Sequence, residues 1–247
     1  MIDYNQYVYA RSEFVKYGLG GGAVGFGLLM LFYDNVILCL FLAVPIDVLF
    51  LQRYRHWLAE RRRWRLTVQF KDAMESLVSA MAAGYSLENS IREARNDLAL
   101  MYREEDIIMK ELDYMIHKIK LKVPVEHLIK ELGDRSGAED IMTFAEILMT
   151  AKRTGGNLVQ VMRHTAANIT EKIETRREIE TLVSGKKMEA KCMTAIPLLM
   201  ILYLRIFSPG FLDPLYHNIM GAGIMTIALA VYVISFLWGQ RIMKIDF

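Results

Sequence analysis

The chain is poor in the residues that carry metal and covalent chemistry. Cysteine occurs twice in 247 residues, as Cys39 and Cys192, both in or beside apolar segments. Their placement gives no metal-ligand spacing, and a disulfide framework is not expected. The five histidines, His56, His117, His127, His164 and His217, are scattered and form no H-E-x-x-H. No G-x-x-x-x-G-K-S/T occurs, and Thr154-Gly155-Gly156-Asn157 lacks the lysine that a phosphate loop needs. No nucleophile elbow appears either. Catalysis, a bound cofactor and a metal ion are therefore not expected, and ATP hydrolysis by this chain is among the activities set aside. Strand signals are few. The net charge of +2 is too small to argue for nucleic acid, so the placement of charge matters more than its sum.

What the chain does contain is divided along its length. Hydrophobic residues make up 53% and charged residues 23%, with a mean hydropathy of +0.21. Four apolar runs stand out: 18–32, 36–51, 193–207 and 219–238. The first two are each short of the ~20 residues that span a bilayer, and the first reaches back to Phe14 if Lys16 snorkels. No small-residue cleavage site follows, so a removed signal peptide is not expected. The first pair reads as a membrane hairpin turning at Tyr33-Asp34-Asn35, with a re-entrant hairpin as the alternative. Residues 52–65 then hold six arginines with Trp57 and Trp64, a juxtamembrane anchor at the headgroups of the lipid bilayer.

The turn at 33–35 and the loop at 208–218 contain no lysine or arginine, whereas Lys186, Lys187, Lys191, Arg241 and Lys244 flank the last two runs. The positive-inside rule then puts both turns outside, and both termini and the middle of the chain in the cytoplasm. Arg205 dissents: near the outer end of its run it must snorkel or find a partner. Asp47, inside the second run, is an ionisable residue in an apolar span and so a functional suspect, although a structural carboxylate near the inner surface is the stronger reading. Gly20, Gly22 and Gly25 match the dinucleotide-binding spacing, but inside an apolar helix rather than after a strand. The glycine pairs 18/22 and 21/25 instead let helices approach closely.

From Leu66 to Glu189 helical periodicity dominates. Phe70, Met74, Leu77, Val78 and Met81 form a stripe ending at Gly84. Ser86 caps a second helix carrying Leu87, Ile91, Ala94 and Leu98. A third runs through Ile107, Leu112 and Ile119, with Glu111 as its polar exception. Pro124 opens a fourth, expected to stop at Gly133, and Ser136 with Glu139 gives a capping-box pattern for the fifth. The fifth ends at Gly155-Gly156 and Asn157 caps the sixth, so the two read as an antiparallel hairpin about a structural hinge. The sixth is expected to run long and to continue into the third apolar run as a stiff link. The fold class read from this pattern is all-α: four transmembrane helices and a cytoplasmic six-helix bundle. The expected divisions are 1–52, 53–190 and 191–247.

Phe70-Lys-Asp-Ala-Met-Glu-Ser-Leu77, Met81-Ala-Ala-Gly-Tyr-Ser-Leu-Glu-Asn-Ser-Ile91 and Ala151-Lys-Arg-Thr-Gly-Gly-Asn-Leu158 together resemble the type II secretion system F domain. Ala195-Ile-Pro-Leu-Leu199 and Ser208-Pro-Gly-Phe211 add to the likeness, which covers residues 66 to 247. One such domain between two pairs of spans is similar to the TadB/TadC branch. The resemblance implies a platform protein in the inner membrane, part of a Tad-type (type IV-like) pilus machine. Its partners would be a hexameric secretion ATPase, a second TadB/TadC-like membrane protein and pilin subunits, within an oligomer. Gly84 and Leu87 match the first family motif, and Gly155, Gly156 and Leu158 the second. The chain departs from the family at Lys122-Val-Pro-Val125, where a glycine-serine turn is usual. Lys152, Arg153 and Arg163, on the charged face of the fifth and sixth helices, are the candidate ATPase contact. A small membrane transporter and a membrane-anchored regulatory adaptor are the alternatives.

Overall fold

A computed structural model describes residue 4 and residues 11–154, 157–208, 210–216 and 218–243. Gly155 and Gly156, expected to form the hinge, lie outside the described residues, as do Pro209, His217 and Lys244. Among the described residues the chain is all-α, with nine helices: α1 (Arg11–Phe32), α2 (Val36–Ala82), α3 (Leu87–Leu98), α4 (Ile107–Lys120), α5 (Val125–Ser136), α6 (Glu139–Thr154), α7 (Leu158–Phe207), α8 (Asp213–Tyr216) and α9 (Ile219–Met243). Four of them, α1, α2, α7 and α9, are long and apolar enough to cross a membrane. The chain forms two compact units, one of Met1–Val8 with Arg55–Arg176 and one of Tyr9–Tyr54 with Arg177–Phe247.

The first unit is the charged, helical middle of the sequence. Its opening helix is no separate element but the C-terminal part of α2, which continues for 47 residues from the second apolar run. The apolar stripes meet in one core: Phe70, Met74 and Leu77 of α2, Ile91 of α3, Leu112 of α4, Leu132 of α5, Phe144 of α6 and Ile169 of α7 are all buried in it. Phe70 and Phe144 touch edge to face, with ring centroids 5.6 Å apart.

Helix ends follow backbone chemistry. At Gly84, φ is +95°, the Gly84 N–H donates to the Met81 carbonyl and the Tyr85 N–H to that of Ala80. That pair of bonds is the Schellman stop, which needs a left-handed residue that glycine adopts without strain. Ser86 then caps α3, its side chain accepting from the Asn89 N–H at 3.3 Å. The same stop recurs after α4, with Lys122 at φ +63° in the glycine position and bonds from Lys122 N to Ile119 O and from Val123 N to Lys118 O. A lysine in a left-handed conformation thus stands where a glycine would be free of strain.

Two expected boundaries are corrected. Gly133 does not stop α5, which runs on to Ser136 and ends at Gly137, φ +59°. The reason for a glycine at 133 is packing: a Cβ there would lie 3.1 Å from the Met142 Cα, so the backbone of α6 passes close to α5 at this position. Nor do Ser136 and Glu139 form a capping box. Ser136 belongs to the last turn of α5, donates to the Gly133 carbonyl at 3.0 Å and accepts from the Ala138 N–H at 3.2 Å.

The second unit holds the apolar runs. The glycine face of α1 lies on α2: a Cβ at Gly21 would be 2.7 Å from the Phe50 ring and 2.8 Å from Asp47 Oδ1, and Gly18 and Gly22 also face Asp47. Gly20 and Gly27 face open space. The alternating contact accounts for the glycine spacing as helix packing. Prolines interrupt neither long helix; Pro45 lies within α2 and Pro197 within α7.

Candidate functional site

The residues singled out in the sequence fall mainly on two features of the first unit, the α2–α3 corner and the α6–α7 hairpin. At the corner Gly84 is the helix stop described above and Leu87 is buried in the core. Both have structural duties there.

The hairpin is pinned by Lys172 of α7, whose Nζ lies 2.8 Å from Asp140 Oδ1 of α6. Two helices paired at 140 and 172 run antiparallel about position 156, as the apolar faces on either side of that position require. Asn157 Oδ1 accepts from the Gln160 N–H at 3.2 Å and so caps α7. Leu158 is half-buried against the core. On the outer side a shallow cleft of about 460 Å³ opens between the helices, lined by Glu146, Ile147, Thr150, Ala151, Thr154 and Val161.

The three cations of the candidate ATPase face differ in their surroundings. Lys152 bonds to Glu126 Oε2 of α5 at 2.8 Å. Burial alone would raise the Glu126 carboxyl, but the lysine's hydrogen bond overrides it and holds the group below its ordinary value. Arg153 and Arg163 are exposed, one on each arm of the hairpin. The hairpin therefore presents two open guanidinium groups and one lysine already engaged within the bundle.

A polar cluster that the sequence did not disclose lies deeper. Glu111, 5% exposed, takes Arg135 Nη1 at 3.0 Å and Nη2 at 2.6 Å. Tyr4, 1% exposed, donates its hydroxyl to Glu111 Oε1 at 2.6 Å, and its N–H to the Arg135 carbonyl at 3.1 Å. The Arg62 guanidinium lies 5.1 Å from the Tyr4 ring centroid. Burial, then the bond to Glu111, pushes the Tyr4 phenol well above its ordinary value, while the same carboxylate raises Arg135. A buried carboxylate needs such partners, and a lone glutamate in an apolar stripe was the available signal.

In the second unit Arg205 has found its partners. Its guanidinium bonds to Asp34 in the α1–α2 turn and to the Met30 carbonyl, and lies 5.8 Å from the Tyr216 ring centroid. Tyr216 donates to the Leu31 carbonyl at 2.7 Å, and Tyr33 and Thr226 share a hydrogen bond of 2.7 Å. One end of the unit is thereby tied together by side chains from α7, α8, α9 and the first turn.

Among the described residues no group of three or more His, Cys, Asp or Glu is placed to hold a metal ion. No protein-family model, curated protein or solved structure matches this chain.

Proposed function

We propose that this chain is a multi-pass platform protein of the inner membrane in a Tad-type pilus or type II secretion-like machine. In this reading its four apolar helices span the bilayer and the helical bundle lies in the cytoplasm with both termini. There the bundle receives force from a hexameric secretion ATPase and passes it to pilin subunits being drawn from the membrane. A second TadB/TadC-like protein completes the oligomer.

The observation that carries the reading is the pair α2 and α7. Each is one unbroken helix, of 47 and 50 residues, containing both an apolar segment of spanning character and a segment of the bundle core. Continuous helices resist bending better than loops, so movement imposed on the bundle is delivered to the apolar segments. The glycine stop at Gly84, the capped helix after it and the α6–α7 hairpin add support, in the order that the resembled family has them. On the hairpin, Arg153 and Arg163 are the open cations for an acidic partner surface, with Lys152 restrained by Glu126.

A flexible Gly/Ser segment inserted after Ser184 tests this. Pilus assembly should be lost while the protein stays at normal level in the membrane and still co-purifies with the ATPase. Normal piliation in that variant would sink the coupling role, and failure to recover any secretion ATPase with the wild-type protein would sink the platform role.

A specific observation favours the transporter alternative. Asp47 lies in the apolar part of α2 with its Oδ1 buried and without a hydrogen-bond partner among the described residues. Asp47→Asn separates the two: unchanged pilus assembly removes the case for a proton or ion pathway through this residue.

A further inference from the structure

We infer that the segment of α2 following its apolar run carries a binding site for the headgroup of an anionic phospholipid, built by Trp57, Arg61, Trp64 and Arg65. The inference rests on the membrane reading above and adds a ligand class to it.

The spacing i, i+4, i+7, i+8 puts these four side chains on one face of α2. Twenty residues from Val36 cover the ~30 Å of a hydrocarbon core and end at Arg55. Trp57 is then the first of the four in the headgroup layer. Side chains on a helix lean toward its N-terminus, which in α2 is the bilayer side. Arg61 shows this lean: its guanidinium lies 5.2 Å from the Trp57 ring centroid, one turn back toward the apolar run. Its charge is therefore returned to the depth of the phosphates. Trp64 carries a further cation, the Arg176 guanidinium of α7, at 3.9 Å from its ring centroid.

Charge balance points the same way. Residues 52–65 contain six arginines and one acid, Glu60. Arg61 and Arg65 are exposed, and among the described residues no carboxylate pairs with either. Elsewhere in the bundle several cations are paired, Arg95 with Glu104 and Asp113, Lys152 with Glu126 and Lys172 with Asp140, while Arg153 and Arg163 stay open without an indole beside them among the described residues. The Arg61 and Arg65 guanidinium groups on one face with the half-exposed Trp57 ring, at headgroup depth, are complementary to a phosphodiester. The rings lie at the interface and the arginines offer forked donors to its oxygens.

The chain has three tryptophans, which makes the test direct. Full-length protein carrying Trp238→Phe is reconstituted into phosphatidylcholine vesicles containing a minor fraction of brominated phosphatidylglycerol, or brominated phosphatidylcholine at the same fraction. Bromine quenches only indoles in contact with the labelled lipid. Quenching should show a preference of about tenfold for the anionic lipid, falling to about unity in Arg61→Gln/Arg65→Gln. Arg61→Lys/Arg65→Lys should keep part of it, which separates loss of charge from loss of fold. Equal quenching by the two lipids in protein that floats with the vesicles overturns the lipid site and leaves the membrane reading standing. Protein that does not float with the vesicles overturns both.

Discussion

Arg135 holds both oxygens of Glu111 within the bundle core, at 3.0 and 2.6 Å, and so joins α5 to α4. Truncating one partner strands a buried charge. Glu111→Ala should therefore destabilise the protein by about 3 kcal/mol, while Glu111→Leu combined with Arg135→Met should recover much of the loss. Thermal unfolding of the detergent-solubilised chain gives the comparison. Single and double variants of equal stability would show that the pair contributes through packing alone.

The two Schellman stops make opposite predictions. Gly84→Ala places a side chain at φ +95° and should cost about 1 kcal/mol. Lys122→Gly relieves a strained lysine at φ +63° and should stabilise, by less than about 1 kcal/mol because glycine is also freer in the unfolded chain. Denaturant midpoints at unchanged slope check both signs.

Gly133→Ala tests the close approach of α5 to α6 at Met142. Its Cβ would meet backbone atoms of Met142 at 3.1 and 3.3 Å, which cannot rotate away. A loss of about 1–3 kcal/mol is expected. If Gly133 were a helix stop instead, the substitution would be harmless, since alanine favours the helix.

The ion pair of Arg205 with Asp34 is part-exposed, so its net worth is at most about 1 kcal/mol. Arg205→Asp alone should lower the melting temperature, and adding Asp34→Arg should restore part of it. An additive cycle would mean that the carbonyl of Met30 and the Tyr216 ring, not the carboxylate, hold the guanidinium.

Stability should also fall with pH at both extremes, for different residues. Tyr4 is raised above its ordinary 10.0, so its contribution is complete below pH 10 and is lost as pH rises beyond it. Glu126 is lowered from 4.5, so its contribution is present above that pH and is lost as pH falls. Tyr4→Phe should flatten the alkaline limb and leave the acid limb unchanged. Unfolding midpoints across pH would show this; an unaltered alkaline limb would count against the buried phenol.

Local patterns determined much of this protein by themselves. Apolar periodicity marks α3 to α6, Gly84 and Ser86 mark a stop and a cap, and four apolar runs mark the four helices of spanning character, because each of these signals acts within a few residues. Tertiary structure alone decided the rest. Glu111 meets Arg135 across 24 positions and Tyr4 across 107, and Arg205 meets Asp34 across 171. No local pattern encodes such partners. Gly133 belongs here for the same reason: a glycine that ends a helix and one that admits a neighbouring backbone are identical in sequence, and only the position of Met142 distinguishes them. The continuity of α2 through its arginines was equally hidden, since a change from apolar to basic composition alters the solvent around a helix without breaking its hydrogen bonds.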